Sequence, residues 1–66
     1  MKTTQKKIAD LSKGDNIANK RGQVTHQVIA NDGGMLYLYD YNTREFYEKN
    51  HRRQAKRGAM VLVVVK

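Results

Sequence analysis

From Gln23 to Ala30 apolar and polar residues alternate, with Val24, His26, Val28 and Ala30 on one face and Gln23, Thr25, Gln27 and Ile29 on the other. This mostly two-residue period predicts a strand. The tetrad Asn31-Asp32-Gly33-Gly34 interrupts it, and because Asn, Asp and Gly tolerate the positive φ of tight turns, a hairpin is expected there. Met35 to Tyr41 then puts Tyr37, Tyr39 and Tyr41 on one face and Leu36, Leu38 and Asp40 on the other, a second strand rich in aromatic residues. Asn42-Thr43 supplies another turn, after which Arg44 to Lys49 is expected to return as a shorter strand. Ala59 to Val65 is apolar on both faces and β-branched, the pattern of a buried strand.

Nearer the start, Ile8-Ala9-Asp10-Leu11 and Asp15-Asn16-Ile17-Ala18 flank Ser12-Lys13-Gly14, and Asn19-Lys20-Arg21-Gly22 reads as a turn into the Val24 strand. Proline is absent, and all five glycines fall where the apolar pattern breaks. Short strands separated by turn residues predict an all-β fold, a small five-stranded antiparallel barrel, closed or half-closed. Closure would also protect the edge strands. A short basic helix or turn is expected before the last strand. Residues 1–7 are expected to be a flexible basic arm, and residues 8–66 one small domain. With 66 residues there is room for one modest core, close to the size at which burial barely offsets chain entropy.

Leu11, Gly14-Asp15 and Ile17, then Gly22-Gln23-Val24, the hairpin at Asn31 to Gly34 and the terminal valine-rich strand together resemble the SH3-like small barrels, including the KOW and Tudor-type modules. The resemblance spans about residues 8 to 65. It implies a barrel fold, and such folds serve nucleic-acid binding, ribosome or polymerase association and peptide recognition alike.

Charge narrows that range. The formal net charge is +7, yet Ile8 to Glu48 holds four cations against six acids. The excess sits at the ends: Lys2, Lys6 and Lys7 at the start, Lys66 at the finish, and Lys49, Arg52, Arg53, Lys56 and Arg57 within nine residues that contain no acid. An unpaired cluster of this density attracts polyanions, nucleic acid first among them. The five cations fall at i, i+3, i+4, i+7 and i+8, the spacing that gathers side chains on one side of a helix. Asn50 is a favoured N-cap and Gly58 a favoured stop, so a helix from His51 to Arg57 is predicted. An isolated helix this short is marginal in water, so ordering on phosphate binding is expected. The competing reading is a solvated cationic loop that serves solubility.

Arg52, Arg53, Lys56 and Arg57 are the principal candidates for phosphate contact. Lys49, His51, Lys6 and Lys7 support them, and Lys20 and Arg21 extend the track. His51 joins the set when its imidazole is protonated. Tyr37, Tyr39, Tyr41 and Tyr47 are candidate stacking surfaces for single-stranded bases; cross-strand packing over the barrel is the plainer reading and the favoured one. His26, on the Val24 and Val28 face, is expected to be a packed strand residue.

Two histidines 25 positions apart without a paired-carboxylate pattern point to neither a metal nor acid–base catalysis. No cysteine is present, so thiolate zinc sites and disulfides are excluded. The chain is therefore expected to be no enzyme and to use no cofactor or metal. The longest apolar run, seven residues, is far below the roughly 20 that cross a bilayer. A cytoplasmic protein, native from residue 1, is expected. Its expected role is a small nucleic-acid-binding accessory factor, DNA or RNA, that contacts mainly the backbone with low sequence specificity. Phage or other mobile-element factors in transcription, translation or DNA packaging are the envisaged setting. The alternative is a module or inhibitor that docks its basic patch on an acidic protein surface. Val61 to Val65, apolar on both faces, is a candidate homodimer contact.

Overall fold

The computed structural model describes residues 2–65. Six strands form one antiparallel sheet: β1 (Thr3–Lys7), β2 (Asn16–Ala18), β3 (Val24–Asp32), β4 (Met35–Asp40), β5 (Glu45–Asn50) and β6 (Met60–Val64). Their spatial order is β1-β6-β2-β3-β4-β5. A 3-10 turn (Ile8–Asp10) follows β1, and a short helix, α1 (Arg52–Lys56), precedes β6. The all-β fold and the short basic helix are as the pattern predicted. Closure is not: β1 and β5 are the two ends of an open sheet. No helix among the described residues is long and apolar enough to cross a membrane.

The sixth strand is the segment expected to be a free arm. Thr3–Lys7 pairs with β6 along its whole length, from Thr3 opposite Val64 to Lys7 opposite Met60. The reason lies in β6, whose apolar residues need neighbours on both sides; β2 takes the other side at Ile17 opposite Val63. β6 is thus an interior strand, and the Val61 to Val65 segment offers no free edge to a second copy.

Ile8, Leu11, Val28, Leu36, Leu38 and Val63 make the core, each at most 4% exposed, with Ile17, Ala55, Ala59 and Val61 packed against them. Leu36 and Leu38 point inward as alternation required. β3 departs from simple alternation at Ile29, where the register with β4 slips between Val28 and Ala30. A bulge of this kind turns the following residues over. Ala30, expected on the Val28 face, is exposed opposite Tyr37, and Asn31 takes the inner position opposite Leu36.

Asn31 then joins three pieces of chain. Its Nδ2 donates to the carbonyls of Ile8 and Leu11, each at 2.9 Å, and its Oδ1 accepts from Gly34 N at 2.9 Å. The hairpin closes through Gly33 (φ 59°) and Gly34 (φ 104°), both in the region that a two-residue turn demands. Gly34 is constrained a second way, since a Cβ there would lie 2.7 Å from Arg52 Cα and 3.0 Å from Ala55 Cβ. The bare hairpin tip is what lets α1 settle on it.

Candidate functional site

The cationic segment is part strand and part helix. Lys49 belongs to β5, opposite Leu36, so the five cations predicted to share one helical face do not all stand on a helix. β5 runs into α1 at His51, whose N–H donates to Gly34 O at 2.8 Å and whose carbonyl accepts from Ala55 N at 2.8 Å. The helix is shorter than the predicted His51 to Arg57, and its N-cap is His51, with no side-chain cap bond, instead of the expected Asn50; Asn50 Oδ1 accepts from Arg52 N at 3.1 Å. His51 is half-buried, and its Nδ1 is enclosed without a hydrogen-bond partner, so it works as a hinge post more than as a surface cation. Gly58 (φ 78°) ends the turn as predicted. These contacts within the chain seat the helix on the hairpin.

Ala55 anchors α1 to the core. With Arg52 as origin and about 100° per residue, Lys56 lies about 40° round, Arg53 about 100° and Arg57 about 140°, while Ala55 lies about 60° the other way. Arg53 and Arg57 therefore point away from the scaffold, and Arg52 and Lys56 flank them. All four are exposed. Arg52 reaches Asp32 Oδ2 at 3.7 Å, but both groups are well exposed and such a pair adds little. Among the described residues Lys49, Arg53, Lys56 and Arg57 have no salt-bridge partner.

Lys7 joins this end of the molecule. Ile8 N donates to Ala59 O at 3.0 Å, which brings the finish of β1 beside the exit from α1. Lys6 does not join: its Nζ is 2.8 Å from Asp15 Oδ2, which also accepts from Ser12 N at 3.0 Å. Lys20 and Arg21 do not join either. They occupy the turn before β3, at the opposite end of that strand from α1; its nine residues span eight rises of about 3.3 Å, roughly 26 Å when extended. There Asn19 Oδ1 accepts from Arg21 N and Gln23 N, at 2.9 and 3.0 Å, and closes the turn.

The tyrosines divide between two faces. Tyr37, Tyr39 and Tyr41 share the outer face of β4, where Tyr39 packs on Tyr41 and on Phe46 at ring-centroid distances of 5.2 and 4.8 Å. Tyr47 faces the core side, opposite Leu38. Its hydroxyl is 2.9 Å from His26 Nε2, while His26 Nδ1 is 2.8 Å from Thr25 Oγ1 and Thr25 donates to Ile17 O at 3.4 Å. When the imidazole is neutral these roles form one chain, Tyr47 to His26 to Thr25 to Ile17, which ties β5 across β4 to β3 and β2; when it is protonated, its Nε2 faces Asp40 Oδ2 at 3.5 Å. Partial burial, and then the charge of Asp40, push the Tyr47 hydroxyl above its ordinary pKa. His26 is the packed strand residue expected of it.

Phe46 escaped the sequence reading, yet it is 70% exposed. The signal was there: it alternates with Tyr47 in the fourth predicted strand and so had to share a face with Tyr39. α1 lies over the core side of the sheet, whereas Tyr37, Tyr39, Tyr41 and Phe46 lie on the reverse, so the α1 cations and these four rings do not form one surface. No family model, curated protein or solved structure matches this chain.

Proposed function

We propose that this protein binds nucleic acid through the phosphate backbone, with little sequence preference, using Arg53, Lys56 and Arg57 of the α1 end, with Lys49, Arg52 and Lys7 around them. The observation that carries this reading is a set of exposed, unpaired cations on a helix that the scaffold itself holds in place. A helix already formed spares phosphate binding the backbone part of the ordering entropy, leaving only the side-chain part. Arginine adds a planar fork suited to phosphate oxygens. A small accessory factor in transcription, translation or DNA packaging fits such a surface.

The test is a salt titration of binding to duplex DNA, single-stranded DNA and RNA, repeated with Arg53, Lys56 and Arg57 all changed to alanine. Each lost phosphate contact should shrink the slope of log K against log salt by about 0.7–0.9, so about 2–3 for the triple variant. Negligible binding of all three polymers at low salt would overturn the proposal and direct attention to an acidic protein surface.

A further inference from the structure

The sheet has two edges, and they are unlike. β1 ends on Lys7, while Lys6 is paired with Asp15, and on a chain of net charge +7 a lysine on an edge strand repels a second copy. β5 carries Glu45, Glu48 and Lys49, with Phe46 and Tyr47 between them, and all six of its residues are exposed. Two acids and one lysine give the strand a formal charge of −1, against +7 for the whole chain.

The backbone of β5 has a defined polarity. Arg44 N donates to Asp40 O at 2.7 Å and His51 N to Gly34 O at 2.8 Å, while Tyr41 N donates to Thr25 O on the far side. Even-numbered residues of β4 therefore face β5. By strand alternation Glu45, Tyr47 and Lys49, opposite Asp40, Leu38 and Leu36, direct their backbone groups at β4. Phe46, Glu48 and Asn50 direct theirs outward, to the open edge.

We propose that β5 pairs with β5 of a second copy of this chain, antiparallel, with Tyr47 on the two-fold axis. In that register Phe46 meets the partner strand's residue 48, and the two exchange outward backbone hydrogen bonds. Glu45 meets the partner strand's residue 49, a lysine, and the symmetry makes this ion pair twice. Both fall at non-hydrogen-bonded positions, where facing side chains approach most closely. The two Phe46 rings stand at the diagonal spacing that aromatic side chains span. Moving the register by two one way sets Glu48 against its own copy; moving it the other way draws the turn residue Arg44 into the ladder and shortens the paired strand. Charge and backbone polarity thus select one alignment. Edge pairing about this axis continues the sheet and puts both α1 ends on the same side of it, so a polyanion would meet two cationic ends at once.

Sedimentation of the full chain without nucleic acid tests this independently of the binding proposal. The wild type should show a monomer–dimer equilibrium. Glu45→Lys should weaken it about tenfold, by setting lysine against lysine twice, and Lys49→Glu should do the same. The double exchange Glu45→Lys with Lys49→Glu should restore it. Glu48→Pro removes an outward N–H without touching the β4 ladder, so it should abolish association while circular dichroism shows the fold retained. A wild type that stays monomeric at high concentration, association indifferent to Glu45→Lys and Glu48→Pro, or failure of the double exchange to rescue would each overturn the proposal.

Discussion

At one end of β3, Asn31, Gly34 and Asn50 devote their polar groups or their lack of a side chain to fixing backbone, and Arg53, Lys56 and Arg57 stand clear of any carboxylate. At the other end, Asn19 and Asp40 close two turns with the same kind of bond, around Lys20, Arg21 and Arg44. Both ends hold cations. The difference is the carrier: α1 holds several of them on one rigid outward surface, whereas the far turns hold one or two among asparagines and an aspartate. Cation count alone does not separate the two ends; the orientation fixed by Gly34 and Ala55 does.

The sharpest way to break the α1 end is Gly34→Ala. Positive φ opposes any Cβ, by about 1–2 kcal/mol, and the new methyl meets Arg52 Cα at 2.7 Å, an overpacking that adds about 1–3 kcal/mol. A loss of about 2–5 kcal/mol in urea unfolding is expected, a large part of what a domain this size has. Gly33→Ala is the control, since a Cβ there meets nothing within 4 Å, and only the φ penalty should appear. Equal losses at both positions would show that α1 does not rest on the hairpin.

Asn31→Ala comes next. It deletes both donations to the Ile8 and Leu11 carbonyls and the acceptor for Gly34 N, and leaving such half-buried groups unpaired destabilises by about 1–3 kcal/mol. Hydrogen exchange at Gly34 should quicken with it. Unchanged stability would mean that water replaces the side chain without penalty.

A third experiment sharpens the comparison in binding instead of folding. Lys20→Ala with Arg21→Ala should leave the salt slope within about one contact of wild type, against about 2–3 for the α1 triple variant. Equal slopes for the two variants would erase the distinction between the ends and restore the continuous track expected from charge alone.

Much of the fold was legible because one signal ruled it. The alternation of Leu36, Tyr37, Leu38 and Tyr39 placed leucines in the core, and the hairpin at Gly33-Gly34 followed from its turn residues. β1 was illegible because Thr3–Lys7 has no apolar face of its own; it is a strand only because β6 needs a neighbour. The bulge at Ile29 leaves no mark in composition, and it alone sends Asn31 inward. At the site, the stop at Gly58 was readable from local chemistry, whereas the N-cap falls at His51, one residue after the expected Asn50. The neutralisation of Lys6 by Asp15 and the distance of Lys20 from α1 depend on topology, which charge counting does not contain.

The smallest effect belongs to the far end, and acid should reveal it. Asn42 N at 2.8 Å, with help from Thr43 N at 3.3 Å, holds the Asp40 carboxyl below its ordinary pKa, the Asn42 bond being the largest cause and nearby His26 charge a lesser one. The unfolded chain returns Asp40 to about 3.9. Because the folded value is the lower one, the turn's contribution is complete above the unfolded pKa and fades as pH falls through the folded value. Asp40→Asn keeps an oxygen that can accept from Asn42 N but does not titrate. Unfolding midpoints of wild type and variant should therefore differ most near neutral pH and converge in acid as pH falls below the folded value. A gap that persists unchanged into acid would show that the turn depends on the shape of residue 40 and not on its charge, and the far end would then be held by geometry alone, as α1 is.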